Sequence, residues 1–151
     1  MMLTVGNQRS YSDVCRLTKG HTFKVGNKIL GFDKSYGIIR CEAGATLYDV
    51  IAAIDGWALP VVPGTGWATV GGCIANDVHG KNQATHGSFG NYVMAMNLPL
   101  APTVGGLGLT GTIEWAAIEL ERTRMVQPYL FPLAYTPYWQ LVKRFGIKQY
   151  Q

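Results

Sequence analysis

Between Pro63 and Asn91 the chain carries glycine at positions 64, 66, 71, 72, 80, 87 and 90, with few charges among them. Such density is incompatible with an ordinary helix, where each glycine costs about 1 kcal/mol relative to alanine. It suits backbone that must pass close to a large flat ligand, because a residue without Cβ lets main-chain N–H groups approach. Successive free N–H groups form a concavity for anions. The segment therefore reads as a cradle for a polyanionic cofactor held mainly by backbone amides.

The rest of the chain agrees with a folded, ligand-holding domain. Its 151 residues allow one domain with a true core and are short for two. Hydrophobic residues make up 48% and charged residues 15%, which excludes a disordered chain. The formal charge of +4 comes from scattered Lys and Arg that gather only at Lys143, Arg144 and Lys148. That distribution suits a phosphate-bearing ligand or an anionic lipid surface and lacks the dense basic stripe of a nucleic-acid binder. Cys15, Cys41 and Cys73 are far apart and form no CxxC, so neither a disulfide framework nor a metal site is expected. No apolar run reaches the roughly 18 residues of a membrane span, and no signal peptide is read. A cytoplasmic protein is expected, with membrane-surface association compatible with its charge.

Local signals place the motifs on elements. Leu3 to Val5 reads as a short strand. Residues 29–33 and 38–43 bracket Lys34-Ser35-Tyr36-Gly37 as a β-hairpin. Thr46 reads as an N-cap with Asp49 at capping-box spacing, and Leu47, Val50, Ile51 and Ile54 follow at helical spacing up to Gly56. Residues 57–63 are extended, each Pro biasing its predecessor away from helix. Val70 to Val78 reads as a small-residue helix or turn beneath the ligand, and Thr112 to Leu120 as a buried strand. A last helix from Thr136 or Pro137 to about Gly146 and a strand over 147–151 complete the expectation.

The run from Thr69-Val70-Gly71-Gly72 to His79-Gly80-Lys81-Asn82, then Gly87-Ser88-Phe89-Gly90-Asn91, resembles the FAD-binding domain of the vanillyl-alcohol oxidase / p-cresol methylhydroxylase class. The His-Gly-Lys-Asn run is most similar to the decaprenylphosphoryl-ribose oxidase branch. Residues 6–13, 41–47 and 105–113 agree in order. The resemblance implies an α+β fold: a PCMH-type FAD-binding domain of two subdomains over 1–122, with a fragment of the substrate (cap) domain over 123–151. At 98–103, Pro99-Leu100-Ala101-Pro102 stands where the class has a hairpin and helix, so a gap and an incomplete chain are expected.

The resemblance also implies site residues. Gly6, Asn7, Gln8, Arg9, Ser10, Tyr11, Ser12 and Asp13 correspond to the loop that wraps the FAD pyrophosphate. Gln8 and Ser12 replace glycines, and each would be strained if its position needs positive φ. Arg9 stands where members with covalent flavin carry histidine, so non-covalent FAD is expected. Gly64, Thr69, Val70, Gly71 and Gly72, then Asn76, Asp77, Val78 and His79, match the second and third flavin segments, with Ile113 near the adenine or ribityl end. Cys73 and Ile74 read as core. His79 and Lys81 would lie beside the flavin facing substrate, as catalytic residues, with Lys81 also holding a phosphate oxygen. Gln149 and Gln151, on one face of a strand, would bind a polyhydroxylated substrate. His86 reads as surface, and His21 carries no functional signal.

The implied chemistry is oxidation of a secondary alcohol of a small-molecule or lipid-linked sugar by hydride transfer to flavin N5. In the ribose-oxidase branch this makes a 2-keto polyprenylphosphoryl ribose. Aldonolactone or alditol oxidation and a non-catalytic flavin-binding remnant are the alternatives. The resemblance leaves room for a partner reductase. A lysine and a tyrosine near the C-terminus complete the site in the class, and no residue here matches them, so the catalytic base is left unassigned.

Overall fold

The computed structural model describes residues 2–11, 13–16 and 19–123. Ser12, the helix expected after Thr136, and Gln149 and Gln151 lie outside them. The described residues form three sheets: a parallel pair, a four-stranded antiparallel sheet and a short antiparallel pair. Strand β1 (Met2–Thr4) pairs in parallel with β2 (His21–Phe23), Leu3 opposite Thr22. The 6–13 loop lies within the crossover between them. The four-stranded antiparallel sheet has the order β3 (Ile29–Asp33), β4 (Ile38–Glu42), β7 (Trp115–Glu119), β6 (Val93–Met96). Its two middle strands pair Ile39 with Ile118 and Cys41 with Ala116, all four fully buried.

The β3–β4 hairpin follows from its turn chemistry. The Asp33 carboxylate accepts the amides of Ser35 (2.9 Å) and Tyr36 (3.2 Å), and Gly37 closes the turn at φ +69°. Helix α1 (Leu47–Ala53) starts at a full capping box. The Asp49 amide donates to Thr46 Oγ1 (3.1 Å), and the Thr46 amide donates to the Asp49 carboxylate (2.8 Å). The Thr46 hydroxyl, donating to the same carboxylate (2.6 Å), and then the Thr46 amide hold the Asp49 carboxyl below its ordinary range. Gly56, at φ +78°, turns the chain out of the helix. Leu47 and Val50 from α1, with Ile54 at its C-cap, join Ile39, Cys41, Ile118, Phe89 and Ile113 in one core.

After α1 the chain runs through β5 (Trp57–Ala58), antiparallel to β8 (Glu121–Arg122). It then enters α2 (Val70–Ala75), α3 (Gln83–His86) and a 3₁₀ turn (Phe89–Tyr92). The residues expected at a gap, 98–103, are crossed by one helical turn, α4 (Leu100–Thr103), behind Pro99. The chain following β2 is stitched to the four-stranded sheet beside β4. Gly44 donates its amide to Gly26 O (2.8 Å), and Glu42 donates its amide to Lys28 O (2.9 Å). No helix among the described residues is long and apolar enough to cross a membrane.

Candidate cofactor cleft

Two loops from distant parts of the chain face each other across a cleft of about 350 Å³. One wall is residues 6–11 with Cys15, and the other is Pro63–Thr65 with Ala68 and Thr69. Gly72, Cys73, Asn76 and Val78 form the floor. A second, smaller lobe of about 100 Å³ shares Gly6, Ser10, Cys15, Thr69, Gly72 and Asn76 with the first, so the two make one trough. Its remaining lining is mostly apolar, including Leu3, Val5, Val25, Leu107 and Ile113.

The trough depends on glycine where its walls meet. A Cβ on Gly6 would overlap the Thr69 hydroxyl. Gly71 lies on β4's extension so closely that a Cβ would stand 2.9 Å from Ala43 Cβ. This is why α2 is built of small residues. Its N-terminal amides are already occupied: Val70 donates to Ala45 O (2.8 Å), Gly71 to Ala43 O (2.8 Å) and Gly72 to Thr69 Oγ1 (3.3 Å). Val70 is fully buried. What Gly72 brings to the floor is close approach, and Thr69 still has a hydroxyl proton to donate.

The free amides lie elsewhere. Among the described residues, the N–H groups of 6–10 and of 64–66 donate to no protein acceptor. Two runs of unpaired donors on opposite walls, with an apolar slot at one end, fit a diphosphate joined to flat rings. FAD fits this donor set: residues 6–10 and 64–66 would hold its diphosphate, and the lobe around Ile113 would take an apolar ring face.

The strained position anticipated at Gln8 is present. Its φ is +53°, and its Nε2 donates to Cys15 O at 3.3 Å. Arg9, Tyr11 and Asp13 are exposed, with Arg9 and Tyr11 on the cleft wall. Asp77 also sits at positive φ, +42°, and its carboxylate is engaged within the protein. It accepts Ser88 Oγ–H (2.9 Å) and the Gly90 amide (2.9 Å). Asn76 uses its side-chain amide on Gly72 O (2.8 Å).

His79 and Lys81 are both exposed and follow Val78, the last floor residue of the cleft. Their turn is fastened beneath the other wall. Asn82 Nδ2 donates to Pro60 O (2.9 Å), and a Cβ on Gly80 would stand 2.7 Å from Val62 O. Among the described residues, the His79 ring makes one long contact, 3.5 Å between Nδ1 and Gly80 O, so on that side its ring is available. His86, read as a surface residue, keeps 35% of its side chain exposed. It is half-buried, with Nδ1 2.7 Å from Thr85 Oγ1 and Nε2 3.6 Å from Glu121 Oε1.

Sequence reasoning passed over Cys15, which lines both lobes and is partly exposed. Cys41 and Cys73 are different: burial pushes both thiols up to about 12. Sequence gave no signal for Cys15, because the trough brings it in by folding alone. Among the described residues no three His, Cys, Asp or Glu side chains converge on a metal site.

Comparison with known proteins agrees with the cleft. The chain is 37% identical over 140 residues to decaprenylphosphoryl-β-D-ribose oxidase of Mycolicibacterium smegmatis, covering 78% of this chain and 30% of that protein. It is 37% identical over 90 residues to a D-lactate dehydrogenase of Anaerostipes hadrus, covering 58% of this chain and 19% of the other. The chain thus spans less than a third of each of these relatives. In fold it resembles alkyldihydroxyacetonephosphate synthase, with a TM-score of 0.70 at 14% identity over 80% of this chain and 27% of that one. Residues 2–104 match the family described as FAD binding domain, and with that match the chain belongs to this family of PCMH-type flavin domains.

Proposed function

We propose that the protein is an FAD-dependent oxidoreductase that oxidises a secondary alcohol of a sugar-type substrate, a polyprenylphosphoryl-linked ribose being favoured. The observation that carries this reading is the 37% identity to the ribose oxidase across 78% of the chain. Bound flavin would supply the electron chemistry, taking the carbinol hydrogen as hydride at N5. The chain's residues hold and orient. The free amides of 6–10 and 64–66 grip the diphosphate, and the apolar lobe around Ile113 excludes water from the ring it covers. Beyond Val78, Lys81 offers an ammonium to a substrate phosphate or to charge near the flavin. His79, its ring unengaged, offers a hydrogen bond to a substrate hydroxyl. Arg9 cannot form a histidyl–flavin link, so the cofactor is dissociable.

The similarity to a D-lactate dehydrogenase supports a second reading, with a small 2-hydroxy acid as the alcohol. The test is the visible spectrum of the purified chain before and after acid precipitation, followed by anaerobic addition of candidate alcohols. Acid-released FAD that is bleached by a polyprenylphosphoryl ribose supports the proposal. Bleaching by D-lactate alone would move the substrate to the hydroxy-acid class, and bleaching by neither nor by an alditol would leave a flavin-binding remnant. A colourless protein that takes up no added FAD would defeat the enzyme reading.

A further inference from the structure

The two walls of the cleft come from segments about sixty positions apart, and they differ in how firmly each is held. The 63–69 wall is fastened to the start of α1. Leu47 donates its amide to Ala68 O (3.0 Å) and Tyr48 its amide to Gly66 O (3.1 Å). The Tyr48 and Trp67 rings pack edge to face at 5.0 Å, and Gly66 lies so close under Tyr48 that a Cβ would stand 2.8 Å from Cζ. This wall is a fixed surface.

The 6–11 wall has no such support. Its amides are free among the described residues, and Gln8 holds the chain in the left-handed region, which disfavours residues with a Cβ. Left alone, a loop of that kind relaxes towards conformations that do not present its amides together. One hydrogen bond among the described residues joins it to the fixed wall: Asn7 Nδ2 donates to Trp67 O at 3.1 Å.

We propose that Asn7 is the latch of this cleft: its side-chain amide fastens the strained donor loop to the Trp67 carbonyl, setting the width of the mouth and the residence time of a bound dinucleotide diphosphate. This rests on the flavin-binding reading for its ligand and on hydrogen-bond geometry alone for its mechanics. The side chain acts through position, because it is the loop's backbone amides that would meet the anion. The bond is partly open to water, so it slows release by a modest factor without creating the site. A net hydrogen bond of this kind corresponds to about a fivefold change in an equilibrium or rate.

The test compares wild type with Asn7→Leu, which keeps the side-chain size and removes the donor, and with Asn7→Ala. Two measurements are made on the full chain. The first is the rate of FAD release, read from the recovery of flavin fluorescence on dilution. The second is the rate of thiol modification of Cys15 without cofactor, since Cys15 lines the same cleft and its carbonyl is held by Gln8. The latch predicts FAD release about fivefold faster in both variants and faster Cys15 modification, with at most a small drop in the cofactor-free melting temperature from the one native hydrogen bond lost. An altered melting temperature with unchanged release would mean that Asn7 serves stability only, and would overturn the proposal. Should the protein bind no FAD at all, the flavin reading fails on its own. Cys15 modification then still decides whether Asn7 holds the walls together: equal rates in all three proteins sink the latch.

Discussion

Gln8 concentrates the tension in this chain. A glutamine in the left-handed region costs on the order of 1 kcal/mol, and it stands where the related loop has glycine. The backbone there is kept in its shape by the Gln8–Cys15 and Asn7–Trp67 hydrogen bonds rather than by the residue's preference. Gln8→Gly should therefore be more stable than Gln8→Ala by about 1 kcal/mol. Both lose the bond to Cys15 O, but only glycine relieves the strain, although part of its gain is returned as entropy of the unfolded chain. Urea unfolding of the two variants measures the difference, and equal midpoints would show that φ at this residue carries no strain.

Asp77 also holds a left-handed backbone, one that aspartate tolerates better than most residues. It combines a left-handed φ with two hydrogen bonds into the 88–90 turn, which pairs with His79 across an isolated bridge. Hydrogen bonds to a charged acceptor contribute roughly 1.5–3 kcal/mol. Asp77→Ala is expected to cost about 2–3 kcal/mol and Asp77→Asn less than half of that, since asparagine keeps an acceptor and tolerates the same φ. Chemical denaturation gives the comparison. A smaller loss for alanine than for asparagine would contradict the assignment of Asp77 as a structural tie.

Among the elements, α1 shows how stability follows from local chemistry. Thr46→Ala removes the N-cap and should lower stability by about 1 kcal/mol. The effect has a defined pH dependence. Asp49 ionises more easily in the folded state than its ordinary value of 3.8, so its contribution is fully present above that value. It is lost as pH falls through the lower folded value. Wild type and Asp49→Asn should therefore differ in melting temperature at neutral pH and converge below about pH 4. A difference that persists undiminished into acid would rule out this linkage.

The same helix, the hairpin turn and the Gly56 stop were all legible in the sequence, because each is decided within a few residues: Thr46 with Asp49, Asp33 with Ser35 and Tyr36. The ordered glycine motifs announced the cleft in the same way. What sequence did not disclose was set by distant partners. The amides of Val70 and Gly71 were natural ligand donors until folding placed Ala43 and Ala45 against them. His86, read simply as surface, has Glu121 of β8 alongside it. The Asn7–Trp67 bond has no local signature, because nothing in either segment names the other.

At the largest scale, and among the described residues, charge is divided along the chain. Residues 1–28 carry five Lys or Arg against one Asp, whereas residues 29–123 carry four against eight Asp or Glu. The basic segment is the one that contributes the 6–11 wall. An approaching dinucleotide diphosphate is drawn towards that wall and away from the acidic body, and such steering weakens as salt shortens the Debye length. The association rate of FAD should fall about threefold or more between about 50 and 500 mM salt, with a smaller change in the release rate. Stopped-flow fluorescence quenching measures both, and a salt-independent association rate would contradict steering.

The strand order of the four-stranded sheet has a consequence for the life of the chain before it is folded. Strand β7 lies between β4 and β6 yet is synthesised after both. Until Trp115–Glu119 leave the ribosome, each of those strands has an open edge where β7 will sit, and the β3–β4 hairpin lacks the strand that covers Ile39 and Cys41. Contacts this far apart in sequence make for slow folding and a prolonged period with strand edges unprotected. A nascent chain of this protein is thus most vulnerable to mispairing in the interval between emergence of β6 and emergence of β7, a window set by topology rather than by the stability of the finished domain.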